Sequence, residues 1–424
     1  MSSVRVWPGI ALGRLRAPPS KSYTHRALVV GHLAHRRFEV RHPLDSDDTS
    51  ATAEAVHRLG TPVARGVGAW RVDPGSKRPR RGPIRISCGE SGTTLRFVSA
   101  LAALGDRPVV LSGSERLSER PIDELLEGLR TLGAVCDHAG RVGLPVKVRG
   151  PIRGGRLSLD VSKSSQFASA LLFALPVLEE DSCLELAGRS VSQPYLDATL
   201  AVLNHHGVRV HRERRRLLVP GRQRFRGSGF DVPGDASSSA YLWAAAAVSG
   251  GTVEVEGIPK GWPQADLAVL DLLRAAGSTV LMQPSGARVS GRATEPFEVD
   301  LTDAPDLYPL AGVLAAVIPG VSRVVGAPHA LFKESDRRAA TASLARRLGA
   351  QVELLPGELR IRGTARPRRL NLPHLVDHRV VMSAAVGALA GDRASVVGEK
   401  EAVRKSFLGF WAAFSELQGK GRGS

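Results

Sequence analysis

The chain has 424 residues, too many for one ordinary hydrophobic core and enough for two domains of about 200 residues each. With 43% hydrophobic and 23% charged residues, it is neither a disordered nor a collagen-like chain. Its 58 Lys and Arg against 41 Asp and Glu give a formal net charge of +17, which calls for a polyanionic partner or for small anionic substrates without choosing between them.

The elements follow a repeat. Six alanine- and leucine-rich helical segments, each preceded by a short strand pattern, begin at Ser20, Ser91, Ser164, Asp235, Asp306 and Asp377, at steps of 71, 73, 71, 71 and 71. A second, more polar helix follows each one, opening near Thr49, Pro121, Pro194, Pro263, Glu334 and Lys405, at steps of 72, 73, 69, 71 and 71. Each unit therefore reads as strand, buried helix, strand, amphipathic helix and two-strand hairpin. The first helix of each unit is apolar nearly all round and should be buried, whereas the second has one wet face. Three units grouped about a pseudo-threefold axis, with helices inside and sheets outside, would bury the apolar helices. The expected fold is thus α/β, with two inside-out, barrel-like domains of three units each. The boundaries are placed at 17–232 for one domain and at 1–16 plus 233–424 for the other. In this scheme the first strand completes the last domain, which makes the connection between the domains double.

The three cysteines, Cys88, Cys136 and Cys183, contain no CxxC pair, so neither a disulfide framework nor a thiolate zinc site is expected, and a reducing cytoplasm fits. The N-terminal residues carry no apolar core behind a basic start, and the uncharged run 307–322 is interrupted by Pro309 and Pro319. Neither export nor a membrane span is expected. Basic clusters at 77–85, 209–226 and 362–369 fall in the predicted hairpins just before a buried helix. Phe225 is the one aromatic residue within them, which suits solvated outer faces better than a nucleic-acid stripe.

Buried helices oriented alike present unpaired N–H groups and partial positive charge at their starts, where anions bind. The first three starts are rich in hydroxyls and amides (Ser20, Ser22, Thr24; Ser91, Thr93, Thr94; Ser164, Ser165, Gln166) and the last three carry carboxylates. The stretch 19–26 places Lys21, Ser22 and Arg26 at a helix start, with Arg26 one turn after Ser22, a pattern equally suited to a capping turn or an anion site. Lys333, Glu334, Asp336 and Arg337 crowd four charges at another start. Asp377, His378 and Arg379 open a helix expected to be buried, where an Arg needs a partner or a ligand. No GxxxxGK, HExxH, GxSxG or nucleotide-type GxGxxG stands in a suitable context, so nucleotide and metal chemistry have no support.

Together these segments resemble the 5-enolpyruvylshikimate-3-phosphate synthase family over essentially the whole chain. The carriers are PPSKSYTHRAL (18–28), SGTTLRF (91–97), ERPIDEL (119–125), SSQF (164–167), SQPYLDAT (192–199), GDASSSAY (234–241), FKESDR (332–337), DHR (377–379) and RKSF (404–407). The resemblance implies transfer of the enolpyruvyl group of phosphoenolpyruvate to the 5-hydroxyl of shikimate 3-phosphate, with no metal or organic cofactor. The two small substrates are the expected partners, with neither nucleic acid nor membrane, and a monomer is expected. It further implies that Ser22, Arg26, Ser164, Ser165, Gln166, Ser192 and Tyr195 hold shikimate 3-phosphate with Lys21, Asp306 and Lys333. Lys21, Gly92, Arg120, Gln166, Arg337, Arg379 and Lys405 are implied to hold phosphoenolpyruvate. Lys21, Asp306 and Glu334 are implied to be catalytic: Asp306 and Lys21 on the hydroxyl side, Glu334 protonating the methylene carbon. Domain closure over the substrates is expected.

Three positions depart from the commoner family pattern. Glu90 stands where many members have Asn and is left out of the site, His25 replaces a frequent Asn, and Leu408-Gly409 replaces a frequent Pro. Two other readings of the chain are open to the sequence. The sister transferase acting on UDP-N-acetylglucosamine usually carries a reactive Cys or Asp before the second repeat's amphipathic helix and Lys-Asn at its first anchor, but 112–120 here reads SGSERLSER and the anchor is Lys-Ser. A basic nucleic-acid-binding or RNA-end-processing protein would use the net charge and should bind nucleic acid with steep salt dependence.

Overall fold

The computed structural model describes residues 3–75, 82–138, 140 and 143–419. The chain divides into two compact units, one of residues 19–232 and one of 1–18 with 233–424. The sheets are mixed: five have four strands and one has three.

In the unit of residues 19–232, each sheet is built on a parallel pair, and in two of the three a buried helix joins the pair. Ile84–Ser87 runs parallel to Val109–Ser112 with helix Gly92–Ala102 between them, and the hairpin Val135–His138 and Val146–Arg149 completes that sheet. Arg156–Asp160, helix Gln166–Ala174, Ser182–Ala187 and the hairpin His211–Glu213 and Arg216–Val219 repeat the pattern. A parallel pair needs a long crossover, and the helix supplies it. Strand residues alternate between wet and dry faces, as in the exposed-buried alternation of Arg156–Asp160. In the remaining sheet, the strand that should precede helix Lys21–Leu33 is supplied from the other end of the unit: Gly229–Asp231 pairs in parallel with Phe38–Arg41.

The displaced strand, Leu12–Arg16, lies in the other unit, parallel to Thr252–Glu256. The chain thus passes twice between the units, after Pro18 and after Val232. The sixth repeat departs from the expected pattern. Its amphipathic helix, Phe410–Leu417, is not followed by a hairpin among the described residues, and Ser3–Val6 pairs antiparallel with Ser395–Glu399 in the place of the inner hairpin strand.

The six apolar helices start at the expected anchors: Lys21–Leu33, Gly92–Ala102, Gln166–Ala174, Ala236–Ser249, Tyr308–Val317 and His378–Ala388. All but Ser237 of Ala236–Ser249 is buried. Side-chain caps set several starts: Ser91 Oγ accepts from Thr94 N (3.1 Å), Asp235 Oδ1 from Ser238 N (2.7 Å) and Asp377 Oδ1 from Arg379 N (2.9 Å). Helix Tyr308–Val317 packs against Arg337–Arg347 at Gly312, where a Cβ would overlap the Thr341 methyl group. The second ladder is less regular than expected. Glu334 and Lys405 precede helices that begin only at Arg337 and Phe410, and in the first ladder Asp306 lies in a 3-10 turn, Pro305–Leu307, ahead of its helix.

The basic clusters are less confined to hairpins than expected. Residues 209–226 span a hairpin and the loop after it, and 362–369 mostly follow a strand. Of 77–85, residues 77–81 lie outside the described residues and Arg85 lies on a strand. Arg212 and Arg222 are exposed and form ion pairs with Asp197 (2.9 Å) and Glu179 (3.0 Å), the pattern of a solvated face.

Candidate functional site

In the unit of residues 19–232, the predicted residues lie at the starts of helices that hydroxyl groups tie together. Lys21 and Ser22 open helix Lys21–Leu33, and Lys21 Nζ pairs with Asp48 Oδ2 at 3.0 Å. Thr94 Oγ1 lies within hydrogen-bond distance of the Asp48 carbonyl (3.2 Å) and of Ser91 Oγ (2.8 Å), joining this start to the next helix. Arg26, one turn beyond Ser22 and almost fully buried, donates to Ser22 O (2.9 Å), Tyr195 O (2.7 Å) and Thr199 Oγ1 (3.0 Å). Burial lowers its pKa to about 10, and Tyr23 and Tyr195 oppose the shift. Arg26 therefore holds the Ser22 turn against the helix carrying Tyr195. Ser192 stands at the start of that helix with φ +54°, a left-handed backbone unusual for Ser.

Gly92 has a steric reason to be glycine: a Cβ there would lie 2.8 Å from Cζ of Arg120, whose guanidinium lies across that position. Arg120 NH1 also donates to the Glu90 carbonyl at 3.5 Å, while the residue Glu90 is exposed. Ser164 Oγ accepts from Gln166 N (3.2 Å), and Ser165 caps the Gln166 helix. His25 is buried, donates to or accepts from Thr52 Oγ1 at 2.7 Å, and is neutral because burial lowers its pKa to about 3.

The other unit gathers cations and carboxylates. The Arg337 guanidinium, 1% exposed, donates through NH1 to Asp306 Oδ1 and through NH2 to Glu334 Oε2 (2.7 Å), with Nε 3.5 Å from Asp377 Oδ2. Lys333 Nζ lies 3.3 Å from Asp306 Oδ1, and Arg379 NH2 lies 3.4 Å from Asp306 Oδ2. Burial alone would raise the Asp306 pKa, but Lys333, Arg337 and Arg379 outweigh it and hold the carboxyl well below the usual range, hence ionised. The same carboxylates overcome the burial of Arg337 and keep it charged. Asp306, Lys333, Glu334, Arg337 and Arg379 are thus brought together. Lys405 stands at the end of the 3-10 helix Lys400–Lys405, where the next carbonyl, that of Ser406, accepts from Ser238 Oγ (3.4 Å).

Sequence reasoning missed three residues here. Asp48 reads as an ordinary acidic first turn. Asp266 reads as a helix-start charge, yet it is buried beside Ser237, and burial followed by repulsion from Asp306 raises its pKa to about 6. Arg96 carries a legible signal, a charge inside an otherwise apolar helix. Among the described residues no group of His, Cys, Asp and Glu could hold a metal ion, and no helix is long and apolar enough to cross a membrane. Burial pushes the Cys88 thiol up to about 12 and the Cys136 thiol to about 11, which removes both as nucleophiles.

Fold and site define a repeat-built α/β protein that presents hydroxyls, amides and guanidinium groups at buried helix starts in one unit and a cation-carboxylate cluster in the other. The family model described as EPSP synthase (3-phosphoshikimate 1-carboxyvinyltransferase) matches residues 10–414, and the chain belongs to this family. It is similar to the 3-phosphoshikimate 1-carboxyvinyltransferases of Methanoculleus marisnigri (40% identical, covering 96% of each chain) and Aeropyrum pernix (41% identical, covering 98% of this chain and 95% of that one). The fold is similar to that of an EPSP synthase structure from Acinetobacter baumannii, with TM-score 0.80 at 22% identity over 98% of each chain.

Proposed function

We propose that the residues described above carry out the family's reaction, with the two units taking different parts of it. The reaction is that of a 3-phosphoshikimate 1-carboxyvinyltransferase: the enolpyruvyl group of phosphoenolpyruvate is transferred to the 5-hydroxyl of shikimate 3-phosphate, and phosphate is released. The observation that supports the assignment of roles is the buried cluster of Asp306, Glu334 and Arg337 with Lys333 and Arg379.

Shikimate 3-phosphate is held by Ser22, Arg26, Ser164, Ser165, Gln166, Ser192 and Tyr195, together with Lys21, Asp306 and Lys333. Arg26 acts mainly by fixing the Ser22 and Tyr195 backbones, since three of its N–H groups go to protein acceptors. Phosphoenolpyruvate is held by Lys21, Gly92, Arg120, Gln166, Arg337, Arg379 and Lys405. Guanidinium groups suit its planar carboxylate and its phosphate.

An ionised Asp306 accepts the hydrogen bond of the 5-hydroxyl and, with Lys21, takes its proton as the oxygen bonds to C2 of phosphoenolpyruvate. Glu334, entering this step in its protonated form, gives that proton to the methylene carbon, which becomes a methyl group, and is left as a carboxylate facing Arg337. The resulting tetrahedral ketal keeps its phosphate until the C2–O bond breaks. Glu334 then recovers a proton from the methyl group and the new enol ether forms. Surrounding cations stabilise the phosphate as it departs.

Each half is further proposed to arrange its three repeats about a pseudo-threefold axis, helices inside. The fully buried helices and the one-sided wetting of the strands support this. The functional assignment is tested by mixing purified protein with both substrates and following inorganic phosphate. Release should require both, and none under any condition would reject the reading.

A further inference from the structure

Arg96 is 4% exposed on helix Gly92–Ala102, one turn after Gly92 and on the same face. Its NH1 donates to Gln166 Oε1 at 2.6 Å, and its Nε and NH2 donate to the Pro121 carbonyl at 3.3 and 2.7 Å. The guanidinium also lies over the Phe167 ring, 5.2 Å from the centroid. A guanidinium only donates, so the amide atom facing it must be the oxygen of Gln166. The Gln166 NH2 group is then turned the other way, where Nε2 donates to Thr93 Oγ1 at 3.1 Å and keeps a second N–H to offer. The Pro121 carbonyl that takes the other two donors directly follows Arg120, whose guanidinium lies across Gly92.

We propose that Arg96 is a positioning residue: it locks the Gln166 amide with its donor side outward and fixes the turn carrying Arg120, so that both groups present only hydrogen-bond donors to the anionic substrate. Without Arg96 the amide is free to rotate by half a turn, and its carbonyl would then face a carboxylate or phosphate. Lysine cannot replace this function, because one ammonium group cannot hold the two acceptors in a plane. The inference rests on the assignment of Gln166 and Arg120 to phosphoenolpyruvate made above.

The test is a double-mutant cycle on the full-length protein, reading the KM for phosphoenolpyruvate by phosphate release, with thermal melting as a control on folding. Arg96→Met and Gln166→Ala should each raise this KM about tenfold, the scale of one oriented hydrogen bond to an ion, with kcat changed less than KM. The double variant should lose far less than the hundredfold product of the two single losses, because Arg96 acts on the substrate partly through Gln166. A merely structural Arg96 would give losses that multiply to about a hundredfold, and that result overturns the proposal. If Arg96→Met does not fold, Arg96→Lys enters the same cycle with the same two outcomes. No phosphate release by the wild-type protein would instead overturn the reaction on which the inference rests, so the two failures are distinct.

Discussion

Replacing Arg337 with Met keeps most of the side-chain volume and removes the charge from the centre of the cation-carboxylate cluster. Asp306 and Glu334 each lose a direct partner, while Lys333 and Arg379 stay 3.3 and 3.4 Å from Asp306. Removing one member of a buried ion pair costs about 3–5 kcal/mol, because the charges left behind are not resolvated. For a unit of about 200 residues, each kcal/mol moves the melting temperature by roughly 2–4 °C, so a drop of about 6–20 °C is expected near pH 7. The pH dependence has a definite sign. Asp306 has a folded pKa held below its unfolded value, so its contribution is fully present above about pH 4 and is lost as the pH falls through the folded pKa. Taking away Arg337 raises that folded pKa and reduces the contribution. The gap between wild type and variant should therefore be widest near neutrality and narrow below about pH 4. Calorimetric melts of both proteins across this range test the reasoning. A drop under about 2 °C at pH 7, or a gap that does not change with acidification, would refute it.

Glu334→Gln should lower turnover by about a hundredfold or more, the scale of a lost acid-base group, while substrate affinities measured by titration calorimetry change only a few-fold. Gly92→Ala should push the Arg120 guanidinium off its seat and raise the KM for phosphoenolpyruvate about tenfold, with the melting temperature unchanged within a few degrees. Asp266 has a folded pKa raised to about 6 by burial and the nearby Asp306 charge, so it weakens the fold as the pH rises from about 4 to 7. Asp266→Asn should gain in melting temperature relative to wild type across that interval, and parallel melting curves would remove Asp266 as a buried titrating group.

The repeat was legible because its signal is hydrophobic periodicity, which burial alone enforces: each apolar helix begins at or within two residues of its anchor. The exchange of Leu12–Arg16 for Gly229–Asp231 was legible only in part, since which strand edge a segment pairs with depends on contacts more than 200 residues apart. Helix periodicity says nothing about strands lent from the far end of the chain, so it does not carry the sixth repeat's lack of a second hairpin among the described residues. At the site, the charges crowded at 333–337 and the buried Arg379 could be singled out from sequence, for an ion inside an apolar pattern demands a partner. Asp48 and Asp266 could not, because an acidic residue in a first turn is what an ordinary helix carries. Arg96 obeyed the same rule as Arg379 and shows that it applies to every buried charge, including those outside recognised motifs.

The most direct test of the account follows the methylene carbon itself. With both substrates in deuterated water, protonation by Glu334 makes a methyl group that carries one deuterium, and loss of a proton from it leaves deuterium in the product's vinyl methylene. The account predicts phosphate release that requires both substrates, together with deuterium at that carbon, and loss of both signals in Glu334→Gln. Phosphate release with no deuterium at the methylene, or no release at all, would contradict it.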